Sequence, residues 1–393
     1  MINPIHAGTN YLLIIPHELS SLILTLLDTA TLFALRLANK IHLKNITIQT
    51  NTNKTIVYVH HSAISNKYTD LFKWLVKPNE VENMNIQWMN MHMGNAIVTD
   101  NLKIVKYLHE HFGKNKHVDW TDMIYHACTF AAESGHLHIL KYLHNKGYLW
   151  TERTYSGAAL KGHLHIVKYL HENKCPYDST VCVSAAKSGS LETIKWFYEN
   201  GCTIHNWALE GAATNGHLNI IKYLHEIGYQ LDHYVCRNAA SSGHLEVLKY
   251  LHENGCPWNE NACQSAALGG HLEVLRYLHE NGCPWNRWAC ANAAQHVHLE
   301  VIKYLHENGC PWDEISCNFA TLNNRLEVLQ YLHENGCPWD NVSVHNAIGR
   351  GHLRILKYLH KNGCPMMRNP YTCAVRYNRT EIAQYLAENG FTS

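Results

Sequence analysis

One spacing constrains this chain more than any other feature. The aromatic residues Tyr142, Tyr169, Trp196, Tyr223, Tyr250, Tyr277, Tyr304, Tyr331, Tyr358 and Tyr385 follow one another at 27-residue intervals, each inside a string close to KYLHENG. A fixed period of this size marks a repeat array in which every repeat is one supersecondary element. Two further markers, Trp74 and Tyr107, precede the series at wider spacing, so about twelve repeats are expected. A chain of 393 residues at 46% hydrophobic exceeds one ordinary core, leaving several domains or an array. The period selects the array.

One repeat shows how the residues build it. Asn259 is a helix N-cap, a short helix carries Cys263, Ala266 and Ala267, and Gly269-Gly270 ends it. A second helix follows, with Leu272, Val274, Leu275 and Leu278 on its apolar stripe, Glu273, Arg276 and Glu280 opposite, and Gly282 as a left-handed stop. Paired alanines recur from Ala131-Ala132 to Ala293-Ala294, so the first helix is thin and can be approached closely. A hairpin of this kind cannot hide its apolar face alone. Stacking on neighbours must do so, which predicts an all-α, elongated solenoid stabilised by local contacts.

The string GHLEVLKYLHENG resembles the second helix of the ankyrin-repeat family, and the resemblance covers roughly Ile56 to the C-terminus. It implies an ankyrin-like helical-hairpin solenoid that binds proteins. The 27-residue period is shorter than the family's usual 33, and no T-P-L-H tetrapeptide opens the first helix. The residues left for both turns are too few for a protruding β-hairpin finger, so a fingerless stack is expected, with finger-sized connections only in the first two repeats. Short repeats of this kind resemble those of large DNA viruses of amoebae and their hosts, which would make the chain a viral host-interaction protein acting in the host cytoplasm.

Three residue ladders could suggest chemistry. Histidines recur at the start of the second helix (His136, His163, His217, His244, His271, His298, His352) and two residues after the marker aromatic (His144, His171, His225, His252, His279, His306, His333, His360). His244 and His252 are eight apart, not the four that sets two imidazoles on one metal, so capping or inter-repeat hydrogen bonding is expected. Cysteines form two series, Cys175, Cys202, Cys256, Cys283, Cys310, Cys337 and Cys364 in the connections and Cys182, Cys236, Cys263, Cys290 and Cys317 on the first helix. Rungs of one series lie about 8–10 Å apart, beyond disulfide reach, so reduced, buried, apolar thiols are expected, with zinc or redox chemistry as the alternative. Trp150, Tyr177, Trp258, Trp285, Trp312 and Trp339 follow the connection. They read as seals of the seam between repeats, and the alternative is a stacking surface for bases or cations.

In an array, columns that repeat are architecture and columns that vary are free to specify a partner. The outer face of the first helix varies most: Arg153, Trp207, Glu210, Tyr234, Arg237, Gln264, Trp288 and Asn318 form the candidate target-binding stripe. Neutral drift on a solvated face is the alternative.

The N-terminal stretch has its own pattern. Ile15-Pro16-His17-Glu18-Leu19, Ile23-Leu24-Thr25-Leu26-Leu27-Asp28 and Leu32-Phe33-Ala34-Leu35-Arg36-Leu37-Ala38-Asn39-Lys40 resemble the three pieces of an F-box, with Ile41-His42 in place of its final Trp. The resemblance implies docking on a Skp1-type adaptor of a cullin ubiquitin ligase through Pro16, Leu19, Ile23 and Leu27. A helical cap on the first repeat is the other reading. The expected organisation is therefore an F-box-like segment at 1–45, a linker with two longer degenerate repeats at 46–125, and the 27-residue array at 126–393.

Charge and motifs narrow the function. Thirty-three basic against 32 acidic residues give a net charge of +1, without the basic footprint of a nucleic-acid or anionic-membrane binder. The apolar run from Tyr11 to Leu37 is broken by Pro16, Glu18, Asp28 and Arg36, so neither signal peptide nor membrane span is expected and the chain is read as intracellular and cytoplasmic. No nucleophile elbow, Walker loop or Rossmann fingerprint occurs. The sequence thus predicts a monomeric, non-enzymatic, cofactor-free substrate receptor linking a protein target to ubiquitin machinery. A stand-alone interaction scaffold and a metal-dependent hydrolase built from the His and Cys ladders are the competing readings.

Overall fold

The computed structural model describes residues 86–112 and 121–392, together with Thr69 and Lys73. Pro16, Leu19, Ile23 and Leu27 of the F-box-like segment, and the marker Trp74, lie outside the described residues. Among the described residues there are 22 helices and no strand, and every helix from Ile86–Val98 to Thr380–Glu388 belongs to a helical hairpin. The expected all-α solenoid of ankyrin-like hairpins is the observed fold, and no described connection contains a β-hairpin. None of the described helices is long and apolar enough to cross a membrane.

The described chain divides into two compact units. One runs to Ala158 and includes Tyr169–Pro176; the other comprises Ala159–Lys168 and the residues from Tyr177 onward. The first contains the hairpins Ile86–Val98 with Leu102–Phe112 and Thr121–Glu133 with Leu137–Asn145. Its core includes Met93, Ile97, Ile104, Leu108, Ile139, Leu140 and Leu143, all fully buried.

In the second unit the 27-residue repeat sets each boundary. First helices such as Glu260–Gly269, Arg287–Gln295 and Glu314–Leu322 start where an Asx residue caps them. The side chains of Asp232, Asn259, Asn286, Asp313 and Asp340 accept the backbone N–H two residues on, at 3.0–3.1 Å. A cap of this kind stabilises its helix by about 1 kcal/mol. The first helix then ends in a left-handed residue. Gly270 has φ +74°, and the bonds from His271 N to Ala266 O (2.9 Å) and from Gly270 N to Ala267 O (3.3 Å) close a Schellman turn.

Ala266, Ala267, Ala293 and Ala294 are fully buried, so neighbouring first helices pack closely. Second helices such as Leu272–Glu280 bury Val274, Leu275 and Leu278 inward and meet each other through larger side chains. The close packing of the first helices and the looser spacing of the second helices follow from the difference in side-chain volume.

Candidate functional site

The periodic side chains are structural, and each ladder has a distinct task. The histidine at the start of a second helix reaches back to the preceding repeat. His217 Nε2 donates to Lys187 O (3.0 Å), His244 to Thr214 O (3.0 Å), His271 to Ser241 O (3.1 Å) and His298 to Leu268 O (3.1 Å). Each acceptor is an otherwise unused carbonyl near the C-terminal end of a first helix. None of these histidines caps its own helix through its side chain. Of the two expected tasks, inter-repeat bonding is the one performed. Burial lowers the pKa of His298 and His352, in keeping with neutral imidazoles.

The second histidine ladder works with the tryptophans. His252 stacks on Trp258 at 4.0 Å and 7°, His279 on Trp285 at 3.8 Å and 8°, His306 on Trp312 at 4.0 Å and 10°, and His333 on Trp339 at 3.7 Å and 10°. Both rings present their edges or faces to the next repeat's tyrosine, as Trp258 and His252 do to Tyr277 at 6.3 and 6.1 Å. A cation completes the column, with Arg276 4.9 Å from the centre of the Tyr304 ring and Lys357 5.3 Å from that of Tyr385. These rings seal the seam between repeats, as the sequence led us to expect. His225 and His360, which have no Trp beside them, hydrogen-bond the next tyrosine hydroxyl at 3.0 and 2.8 Å, and His144 does so at 3.2 Å while also stacking on Trp150.

All fourteen cysteines are unbridged and buried. Burial pushes the thiols of Cys128, Cys175, Cys182 and Cys364 up to about 12, which suppresses the thiolate needed for nucleophilic or ligating chemistry.

The non-repeating residues divide into two groups. Trp207 is 61% exposed, Tyr234 45% and Trp288 38%. With Asn261, Ile315 and Val342 they occupy one column, one period apart, at the N-terminal ends of successive first helices in the second unit. Val342, also exposed, extends the column beyond the residues chosen from sequence, and its position 54 residues after Trp288 was the signal. Neighbours hold the rings in place. His233 lies 4.1 Å from Tyr234, Arg237 is 5.2 Å over the same ring, and Arg287 is 5.8 Å over Trp288.

The polar candidates are mostly engaged within the stack. Glu210 accepts from Asn238 Nδ2 (3.2 Å), Gln264 donates to Asn286 (3.1 Å), and Asn318 accepts from Ser343 Oγ (2.7 Å). Sequence reasoning treated these three as outward-facing, because helical spacing alone does not show that a half-buried polar side chain can reach the next repeat. Arg153 is exposed in the first unit, where it lines a shallow open recess of about 260 Å³ with His126, Thr129, Thr151 and Glu152.

The geometry therefore offers an apolar column on a hydrogen-bonded scaffold. Family models described as ankyrin repeats match residues 156–234 and 317–392 (three copies) and residues 236–279 and 263–306 (many copies). Together they span more than half of the chain. Among solved structures, the crystal structure of the human ASB11 ankyrin repeat domain is similar over 45% of this chain and 96% of that one, with 18% sequence identity and a TM-score of 0.39. No curated protein matches the chain.

Proposed function

Because the chain belongs to the ankyrin-repeat family, whose repeats serve protein–protein interaction, we propose that it binds a protein target on the first-helix column of the second unit. The observation that carries this reading is the exposure of Trp207, Tyr234 and Trp288 in register. Large apolar rings cost little to expose singly, but aromatics dominate interface energies when a partner covers them. The preformed scaffold adds to this, since little side-chain order remains to be imposed on binding. Arg237 and Arg287 over the rings would hold them in their binding rotamers. Arg153 would contribute only to contacts made by the first unit.

A finer reading joins this surface to ubiquitin transfer. In it the F-box-like residues Pro16, Leu19, Ile23 and Leu27 dock a Skp1-type adaptor while the column holds the substrate, so that recruitment raises effective concentration without chemistry from this chain. The sequence match at residues 15–40 supports it. The alternative is a stand-alone scaffold using the same column.

Proximity labelling in the source cell tests the binding surface, comparing the wild-type chain with a Trp207→Ala/Tyr234→Ala/Trp288→Ala variant. Loss of a discrete set of labelled proteins is expected, and an unchanged labelling profile would refute the column. A pull-down with purified Skp1 tests the finer reading. Binding that is abolished by Pro16→Ala/Leu19→Ala supports the receptor, whereas no binding by the wild-type chain leaves the scaffold.

A further inference from the structure

The two cysteine series, each too widely spaced internally for a bridge, meet each other inside single repeats. Cys236 Sγ lies 2.7 Å from Cys256 Sγ, and Cys263 with Cys283, Cys290 with Cys310 and Cys317 with Cys337 occupy the equivalent positions of the next three repeats, Cys263 Sγ reaching Cys283 O at 4.0 Å. In each pair the partners are 20 residues apart, one on the first helix and the other in the connection after the second. The pairing stops on both sides. In the preceding repeat the equivalent positions are Leu209 and Tyr229, and one repeat further back Cys182 turns to Thr203 O and Cys202 to the Tyr177 hydroxyl, both at 3.6 Å. In the following repeat the first-helix position is Val344, which leaves Cys364 without a sulfur opposite. Four consecutive repeats are thus equipped and their neighbours are not.

We infer that these four pairs are dithiol modification sites that close into intra-repeat disulfides by exchange with a low-molecular-weight disulfide. A disulfide bond is about 2.05 Å long, so the sulfurs of Cys236 and Cys256 need only a small rotation to bond. In the first step one cysteine, having lost its proton to solvent, attacks a sulfur of the reagent. A mixed disulfide forms and one reagent thiolate leaves. The partner cysteine, deprotonated in turn, attacks the protein sulfur of that mixed disulfide. The protein disulfide forms, the second reagent thiolate leaves, and both thiolates take up the released protons. Two electrons pass from each pair to the reagent, and no other oxidant is required.

Burial controls the rate of this exchange. The thiol of Cys236 is raised by the neighbouring Cys256 sulfur and by desolvation, and those of Cys263, Cys290 and Cys337 are raised in the same way. Reaction therefore waits for a repeat to open, and re-closure presents the second sulfur to the first at high effective concentration. Cys256 Sγ also donates to Asp232 O at 3.1 Å, at the cap of the same first helix. A bridge there ties the entry of a hairpin to its exit, so an oxidised repeat can no longer fray.

The test uses the full chain incubated with oxidised glutathione in buffer and in urea below the unfolding transition, then alkylated, digested and weighed. Four linked peptide pairs, 236–256, 263–283, 290–310 and 317–337, are expected, each lighter by two hydrogens, with Cys128, Cys175, Cys182, Cys202, Cys364 and Cys373 alkylated. The thermal midpoint should rise on oxidation and return with reductant. Cys256→Ala should remove the first link and leave the other three. Complete alkylation under both conditions, links between repeats, or a Cys182–Cys202 link of equal yield would each overturn the inference.

Discussion

Adding a single methyl group at Gly270 should destabilise the stack through the histidine of the following repeat as well as through the backbone. Gly270 has φ +74°, and a β-carbon built there would lie 2.4 Å from His298 Nδ1 and 2.5 Å from its Cε1. An alanine in the left-handed region costs about 1–2 kcal/mol. The displaced ring also loses its 3.1 Å bond to Leu268 O, worth about 1 kcal/mol, so Gly270→Ala is expected to cost about 2–3 kcal/mol. His298→Ala alone loses the bond and some packing, about 1–2 kcal/mol. In the double variant the ring that would clash is already gone, so the cost should stay near 2–3 kcal/mol instead of reaching the sum of the two. Urea unfolding of the four proteins, followed by circular dichroism and fitted with a common slope, measures the coupling directly. Additivity within about 0.5 kcal/mol would show that the ring and the glycine do not act as one device.

Three further outcomes follow from the same framework. Val297 holds φ +53° and is 46% exposed, so Val297→Gly should stabilise the chain by about 1 kcal/mol, the relieved strain exceeding the entropy cost of glycine; a lower urea midpoint would refute this. Asp313 accepts Ile315 N at 3.1 Å and pairs with Arg287 across the seam at 2.9 Å, so Asp313→Ala should cost about 1 kcal/mol, mostly from the cap, with Arg287→Ala costing less than half as much in the same assay. The thermal midpoint should be highest between about pH 6.5 and 9. Below that window the unfolded chain binds protons that His298 and His352, with lowered pKa values, refuse in the fold. Above it the unfolded chain releases thiol protons that the folded Cys128, Cys175, Cys182 and Cys364 retain, their pKa values raised by burial to about 12. A flat profile from pH 5 to 10 would refute both.

The period was the strongest signal, and it revealed the hairpins, the thin first helix and the periodic seals, because each repeat must satisfy the same neighbour contacts. The aromatic column was legible for the same reason: Trp207, Tyr234 and Trp288 fail to repeat at a position the period defines. Two features were not legible. Glu210, Gln264 and Asn318 looked outward on a helical wheel, yet their partners Asn238, Asn286 and Ser343 sit on the next repeat, and only the packing of first helices shows that they are within reach. The meeting of Cys236 with Cys256 was hidden because spacing was considered along each series and not between them. The 20-residue offset was present in the sequence but has no meaning until the hairpin closes.

Those seam pairs carry a consequence for how such a chain can change length. Its hydrophobic, histidine and glycine columns are nearly interchangeable, so excising one period would leave a stack that still closes. Excising residues 259–285, however, would take Gln264 away from Asn286, its side-chain partner at 3.1 Å. The repeats are thus uniform as building material but individually addressed to their neighbours, and the order in which they occur is written in bonds between residues that do not recur.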